Sequence, residues 1–190
     1  MKRKILFGLA AFLMGAALNA QVMLAEGMKD DKPFGGPGSV QYAGKLWQAL
    51  VDAGMVGENA LRAKPYKGIE PHGAILENFE RDVTVGGHTG VAVVKKNYVG
   101  DGITVEQVVN DAAEESLASV TVMYRREAGY DADNDDWFWV KYSPDGGVLK
   151  NPKGASLAGR VAKGMNAGCI ACHKGAPGGD YVYTHDKWAN

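Results

Sequence analysis

The chain is poor in cysteine, in net charge and in long apolar runs. Two cysteines occur among 190 residues, so no second cysteine pair is available to complete a structural zinc site. The formal net charge is −1, which gives no electrostatic reason to expect nucleic acid or an anionic membrane as a partner. The apolar stretch from Ile5 to Leu18 is shorter than the ~20 residues of a membrane-spanning helix.

The composition is otherwise that of an ordinary globular domain. Hydrophobic residues make up 46% and charged residues 23% of the chain, so disorder and a polytopic membrane protein are both disfavoured. The length suits one packed domain. Glycine is abundant, with 26 residues, which predicts many turns and close backbone approaches in place of long helices.

The N-terminus has the layout of a secretory signal peptide. Lys2-Arg3-Lys4 precede the apolar stretch, and Asn19-Ala20 provide a small residue at a plausible cleavage point. We therefore predict a signal peptide over residues 1–20 and export to a bacterial periplasm. The alternative is an uncleaved N-terminal anchor.

Both cysteines fall in one short motif near the C-terminus. Residues 169–173 are Cys-Ile-Ala-Cys-His, which is the C-x-x-C-H attachment signature of a c-type haem. Two thiols three positions apart lie on one face of a helical turn, so both can bond the haem vinyl groups while the next side chain comes under the iron. The motif predicts one covalent haem bound through Cys169 and Cys172, with His173 as axial iron ligand.

Three other chemistries compete for this cysteine pair. A thioredoxin-like redox pair belongs at the start of a helix in a βαβ unit, whereas this pair lies close to the chain end. A zinc site lacks further ligands, and a plain disulfide does not account for the adjacent histidine. The haem interpretation is favoured because the expected export, the histidine and the glycine-rich surroundings all agree with it.

The middle of the chain has the pattern of β-strands. Runs rich in β-branched and aromatic residues predict strands over residues 91–94, 119–124 and 137–142. A helix is predicted over residues 41–53, and a shorter one over residues 156–165 leads into the haem motif. These strands argue against a four-helix-bundle cytochrome, which also carries a late C-x-x-C-H motif. Only 17 residues follow His173 and none is methionine, unlike the small electron-carrier cytochromes, in which a downstream methionine returns to the iron.

Several residue runs together resemble the cytochrome P460 superfamily, which includes cytochrome P460 proper and the β-sheet type of cytochrome c′. They are Pro-His-Gly-Ala-Ile-Leu at 71–76, Gly-Val-Ala-Val-Val-Lys-Lys-Asn-Tyr at 90–98, Val-Thr-Val-Met-Tyr at 120–124, Gly-Tyr-Asp at 129–131, Asp-Trp-Phe-Trp-Val-Lys-Tyr at 136–142, the segment 168–173 and Asp-Tyr-Val-Tyr at 180–183. The resemblance covers about residues 69–183.

The resemblance implies an α+β fold, mainly antiparallel β-sheet with flanking helices and a C-terminal haem-attachment helix. It assigns residues 69–190 to a mono-haem domain, preceded by an N-terminal extension with a helix over residues 21–68. It further implies a homodimer, a redox partner protein, and binding or redox conversion of hydroxylamine or nitric oxide at an open axial site.

The resemblance also points to a lysine at the haem. The family's lysine that is bonded to the porphyrin edge falls on Lys95. Strand alternation allows only one of Lys95 and Lys96 to face the haem, and the alternative for such a pair is a solvated charge at a sheet edge. An apolar site would favour the neutral amine that such a bond requires.

On the side of the haem opposite His173, the sequence differs from what the family resemblance implies. The family's distal carboxylate falls on the strand 119–124, which offers Thr121 or Met123 and no acid. The family's distal arginine falls on Glu77, a candidate to supply the missing carboxylate from another strand. Dehydrogenation of hydroxylamine needs a base, whereas nitric oxide binding needs only an open, rather apolar position on the iron.

Three functions therefore stay open. They are an oxidoreductase for small nitrogen species, a nitric-oxide-binding protein without turnover, and an electron-transfer cytochrome in which Met123 or a histidine closes the iron. A methionine in an apolar strand is more often a core residue. His72 and His88 each lie beside glycine in a predicted turn, where a partly exposed histidine is the commoner outcome.

Overall fold

The computed structural model describes residues 30, 32–110 and 114–183. In chain order its helices and strands are α1 (Pro37–Asp52), β1 (Tyr66–Lys67), β2 (Ile75–Val85), β3 (His88–Tyr98), α2 (Val105–Val109), β4 (Leu117–Arg125), β5 (Trp137–Tyr142), β6 (Ala158–Gly159) and α3 (Cys169–His173). Two 3-10 turns, Glu114–Ser116 and Ala132–Asn134, precede β4 and β5.

The six strands form one antiparallel sheet whose spatial order is their order in the chain. Paired residues lie on the same face, and successive residues lie on opposite faces. One row of paired residues crosses the sheet through Asn78, Lys95, Thr121 and Lys141. The next row, on the other face, runs through Glu77, Lys96, Val120 and Tyr142. The α+β, mainly antiparallel fold that the sequence predicts is confirmed.

Helix α1 covers the face of the sheet that carries Lys96. Its side chains Ala43, Leu46 and Leu50 recur at helical spacing and are fully buried. They pack in one cluster with the valines of the central strands, including Val94 and Val122. Each large apolar side chain buried in this way stabilises the fold by roughly 1.5–3 kcal/mol. The helix in the predicted N-terminal extension therefore belongs to the same core as the sheet.

Helix α1 begins earlier than the predicted residue 41. Pro37 occupies the first turn, where its missing N–H leaves no hydrogen bond unmade. The carboxylate of Asp30 accepts hydrogen bonds from the backbone N–H groups of Gly38 and Ser39, at 2.9 and 2.8 Å, which satisfies free donors of the first turn. The cap comes from a residue outside the helix, so periodicity alone does not reveal it.

The C-terminal segment covers the opposite face of the sheet. The buried residues of this second cluster come from the strands and from the chain after β6, and they are Val93, Met123, Trp137, Trp139, Val161, Ala162, Ile170, Tyr181 and Val182. Helix α3 lies in this segment. The haem-attachment motif is thus packed against the face of the sheet that carries Lys95.

The helix predicted over residues 156–165 is wrong. The structure has strand β6 there, with Gly159 paired to Trp139 of β5, followed by turns. Gly159 and Ala162 have φ values of 115° and 65°, which a right-handed helix cannot contain. Pairing with β5 therefore prevails over the weak helical pattern.

The residue pattern alone does not reveal strand β2, because its polar residues hide the alternation. Glu80, Arg81 and Asp82 are exposed in succession on this strand, so only its ends show the apolar pattern typical of a strand. The strand nevertheless pairs with β3 along its whole length.

No helix among the described residues is long and apolar enough to cross a membrane. The predicted signal peptide over residues 1–20 lies outside the described residues.

Candidate functional site

The two cysteines lie on the short helix α3, as the motif predicts. Cys169 is partly buried and Cys172 is exposed, and no disulfide joins them. Gly168 immediately before the helix has a φ of 119°, and a Cβ at this position would come within 2.5 Å of the Ala162 side chain. A glycine is required there, because only glycine allows both this backbone and this close approach.

His173 ends the same helix and is buried, with a relative exposure of 9%. Its Nδ1 lies 2.8 Å from the backbone carbonyl oxygen of Tyr181. A hydrogen bond from Nδ1 to a carbonyl fixes the tautomer and leaves Nε2 with the lone pair that a metal needs. Burial, and then the charge of Lys95, lower the pKa of His173 against the opposing effect of the Tyr181 carbonyl. The imidazole is therefore neutral at neutral pH, the form that binds metals.

A cavity of about 410 Å³ lies between α3 and the sheet. Both cysteines and His173 line it, together with Lys95 of β3. Most of its other walls are apolar side chains, which include Leu76, Val93, Val122, Met123, Trp139, Val140, Leu157 and Val161. This size and this mixture of an apolar surface with a few polar groups are typical of a cofactor site.

Trp139 lines this cavity and packs against His173. Its Nε1 is buried and has no hydrogen-bond partner within the part of the chain that the structure describes. The indole ring lies edge-on to His173, with ring centres 5.0 Å apart. Two thiols, a neutral imidazole and apolar walls together fit a c-type haem.

Lys95 and Lys96 face opposite sides of the sheet. Lys95 is half-buried and lines the cavity beside its paired residue Thr121. Lys96 is buried on the α1 side, where burial lowers its pKa and the neighbouring Glu77 opposes the shift. The structure thus places Lys95, and not Lys96, with the cysteines and His173.

Glu77 lies away from the cavity. Its side chain is fully buried on the face of Lys96, where it accepts hydrogen bonds from Arg62 Nε at 2.8 Å and from the Tyr98 hydroxyl at 2.6 Å. Its second oxygen is 3.9 Å from Lys96 Nζ. The expectation that Glu77 brings a carboxylate to the haem therefore needs correction, because strand alternation points it to the other side of the sheet.

The carboxylate that does reach the cavity is Glu70. It is exposed, and it is the only acid among the described residues that line the cavity. It lies in the turn that precedes β2. Nothing in the sequence marks Glu70 as a site residue, because a charged residue beside proline in a turn is ordinarily a surface residue.

His72, in the same turn, reaches into the cavity. It lines the cavity and lies edge-on to His173, with ring centres 5.9 Å apart. Burial and the nearby charge of Lys95 lower the pKa of His72 to about 4. By contrast His88, on the hairpin between β2 and β3, lies near the Arg125 carbonyl oxygen, with its Nε2 at 3.2 Å. Of these two histidines only His72 belongs to the site.

The segment after α3 completes the site. Tyr183 donates a hydrogen bond from its hydroxyl to the Cys172 carbonyl oxygen, at 2.8 Å, and its ring centre is 5.5 Å from that of His173. Tyr181 holds the Nδ1 of His173 through its carbonyl. The sequence gives no sign of these roles, since one is played by a backbone atom.

The fold and the site define a c-type cytochrome built on an antiparallel sheet. The family model for Cytochrome P460 matches residues 79–184, which is more than half of the chain. The chain therefore belongs to the cytochrome P460 family, and the predicted resemblance is confirmed. No curated protein and no solved structure matches it. Membership supports a haem c cytochrome of the P460 or β-sheet cytochrome c′ kind.

Proposed function

We propose that the protein is an exported, periplasmic mono-haem cytochrome that binds hydroxylamine or nitric oxide at the iron, on the side opposite His173. Cys169 and Cys172 would bond the haem, and His173 would bind the iron through Nε2. The observation that carries the proposal is the cavity that brings this motif together with Lys95. The haem supplies an iron that can bind small nitrogen species and exchange electrons with them.

The protein contributes fixed positions for these groups. The Tyr181 carbonyl oxygen, 2.8 Å from Nδ1, prevents the His173 ring from rotating and increases the electron density on Nε2. The hydroxyl of Tyr183 holds the end of α3. The apolar walls exclude water, which strengthens the electrostatic effect of every polar group that remains inside.

Lys95 is the residue most suited to tune the macrocycle. Its position on the cavity wall supports the proposed covalent bond from its amine to the porphyrin edge. That bond would replace one N–H of the amine and one C–H of the porphyrin, so the two electrons and two protons released would have to pass to a two-electron oxidant such as a peroxide during maturation. Without the bond, the amine would still act as a nearby positive charge.

Turnover of hydroxylamine requires a group that collects protons. Glu70 is the candidate, since it is the acid at this cavity and its exposure gives it access to bulk water. If Glu70 does not act, the protein would trap nitric oxide without turnover, which is the second of the three functions that the sequence leaves open. The largely apolar walls favour that second function.

The test uses the holoprotein made in a host that matures c-type cytochromes. We expect the ferrous protein to bind carbon monoxide and nitric oxide, with a shifted absorption spectrum. Oxidation of hydroxylamine with an artificial electron acceptor separates the enzyme from the binding protein. A ferrous spectrum that does not change with either gas would reject both functions and leave electron transfer.

We also propose that the protein forms a homodimer and exchanges electrons with a redox partner protein. The molar mass in solution checks the first, and electron exchange with a candidate partner checks the second.

A further inference from the structure

We propose that His72 is a second axial ligand of the haem iron, which holds the iron when no small ligand is present and yields its place to one. The inference rests on the proposed function, since it needs a haem in this cavity. In the resting protein His72 would occupy the sixth position on the iron, so a small ligand would have to compete with His72 in order to bind.

The spacing of the two imidazoles carries the inference. Two imidazoles on opposite sides of one metal ion have ring centres roughly 6 Å apart, since each metal–nitrogen bond is about 2 Å long and each ring adds roughly 1 Å. The centres of His72 and His173 are 5.9 Å apart. Their planes are at 84°, which axial ligation permits, because each ring can rotate about its own metal–nitrogen bond.

The surroundings of His173 leave a place for such a partner. The Tyr181 carbonyl takes the Nδ1 side of the ring, and the rings of Trp139 and Tyr183 lie edge-on to it, at 5.0 and 5.5 Å. Of the described rings in contact with His173, only that of His72 is a second imidazole, with a nitrogen lone pair that a metal can use. A neutral imidazole is the commonest nitrogen ligand for metals.

The turn that carries His72 is anchored at its base. The N–H of Gly68 donates to the Ala74 carbonyl oxygen at 2.8 Å, and the N–H of Ala74 donates to the Tyr98 carbonyl oxygen at 3.0 Å. Gly73 has a φ of 142°, and a Cβ there would come within 2.7 Å of the Tyr98 oxygen. These contacts fix the base of the turn, and residues 68–72 line the cavity. The His72 side chain also forms a hydrogen bond with the Asn97 side chain of β3.

The tip of this turn is nevertheless poorly packed. Ile69 is 77% exposed, and Glu70 and Pro71 are exposed as well. Segments with few buried contacts open at low cost, so a ligand that binds iron strongly can displace His72. The apparent affinity is then reduced by the fraction of molecules in which the iron is open.

The test compares three holoproteins by ferric electron paramagnetic resonance and absorption: the unchanged protein, His72→Ala, and His88→Ala as the matched control. We expect a low-spin ferric iron in the unchanged protein and in the control, and a high-spin iron in His72→Ala. Added imidazole should restore the low-spin signal of His72→Ala, which also shows that this variant is folded. Carbon monoxide should bind the ferrous variant roughly tenfold faster or more.

Two results would overturn the assignment: a high-spin ferric iron in the unchanged protein, or a low-spin iron that His72→Ala leaves unaltered. His72→Met provides a second check, since methionine retains an axial donor and should raise the reduction potential; an unchanged potential contradicts ligation by His72. If the protein carries haem but its ferric iron is high-spin, this inference alone is contradicted. If the protein carries no haem, the proposed function is contradicted instead.

Discussion

Lys95 and Lys96 are neighbours in the chain and belong to opposite faces of the sheet. The first lines the cavity with His173, whereas the second is buried beside Glu77. A substitution at Lys95 therefore probes contact with the haem, and the same substitution at Lys96 serves as a control that affects only the core.

Substitution of these lysines should separate the two roles. Lys95→Ala is expected to return a long-wavelength Soret band to that of an ordinary c-type haem, because it removes the bond to the porphyrin edge. Proteolysis of the unchanged protein should then release a haem peptide that contains residue 95 as well as residues 169–173. Lys96→Ala should leave both observations as they are. An ordinary Soret band in the unchanged protein would contradict the bond.

Glu77 should act on stability and not on ligand binding. Its carboxylate is fully buried and joins Arg62, Lys96 and the Tyr98 hydroxyl, so Glu77→Ala leaves a buried cation without its partner. We expect the free energy of unfolding to fall by about 3 kcal/mol. Urea denaturation of the holoprotein measures this, with the exposed Glu58→Gln as control. A loss of nitric oxide affinity without a loss of stability would contradict the structural role.

Glu70 should matter for turnover alone. Glu70→Gln retains the shape of the side chain and removes its ability to accept a proton, so hydroxylamine oxidation should slow by roughly a hundredfold. Nitric oxide binding to the ferrous protein should not change. Equal hydroxylamine rates for the variant and the unchanged protein would assign proton transfer to another group.

Gly168 should be critical for the attachment helix. Gly168→Ala introduces a Cβ that meets the Ala162 side chain at 2.5 Å, on a backbone with a φ of 119°; the expected loss is about 3 kcal/mol. Gly164→Ala is the matched control, because its φ of 74° is also positive but its Cβ would meet no atom within 4 Å. That variant should lose about 1 kcal/mol. Denaturation midpoints of the two holoproteins check this, and equal losses would show that the contact with Ala162 has no effect.

The sequence reveals those parts of the molecule that depend on local pattern. The spacing of Cys169, Cys172 and His173 predicts a helical turn, and the structure has one there. Aromatic and β-branched runs predict β5 at its observed bounds and parts of β3 and β4. Each of these signals is contained within a few consecutive residues.

What the sequence misses depends on contacts between distant segments. The carboxylate of Asp30 caps α1 from outside, and pairing with β5 makes a strand where a helix was predicted. Glu77 was placed at the haem by correspondence with the family, but its parity on β2 puts it with Lys96. His72 is an ordinary turn histidine until the fold brings it to 5.9 Å from His173.

We propose above all that Cys169 and Cys172 bind one haem covalently. The most direct measurement is the intact mass of the protein purified from the periplasm of a host that matures c-type cytochromes, under denaturing conditions and with thiols counted in parallel. We expect a mass one haem above that of the polypeptide, with no titratable thiol. A mass equal to that of the polypeptide alone, with two free thiols, would contradict it.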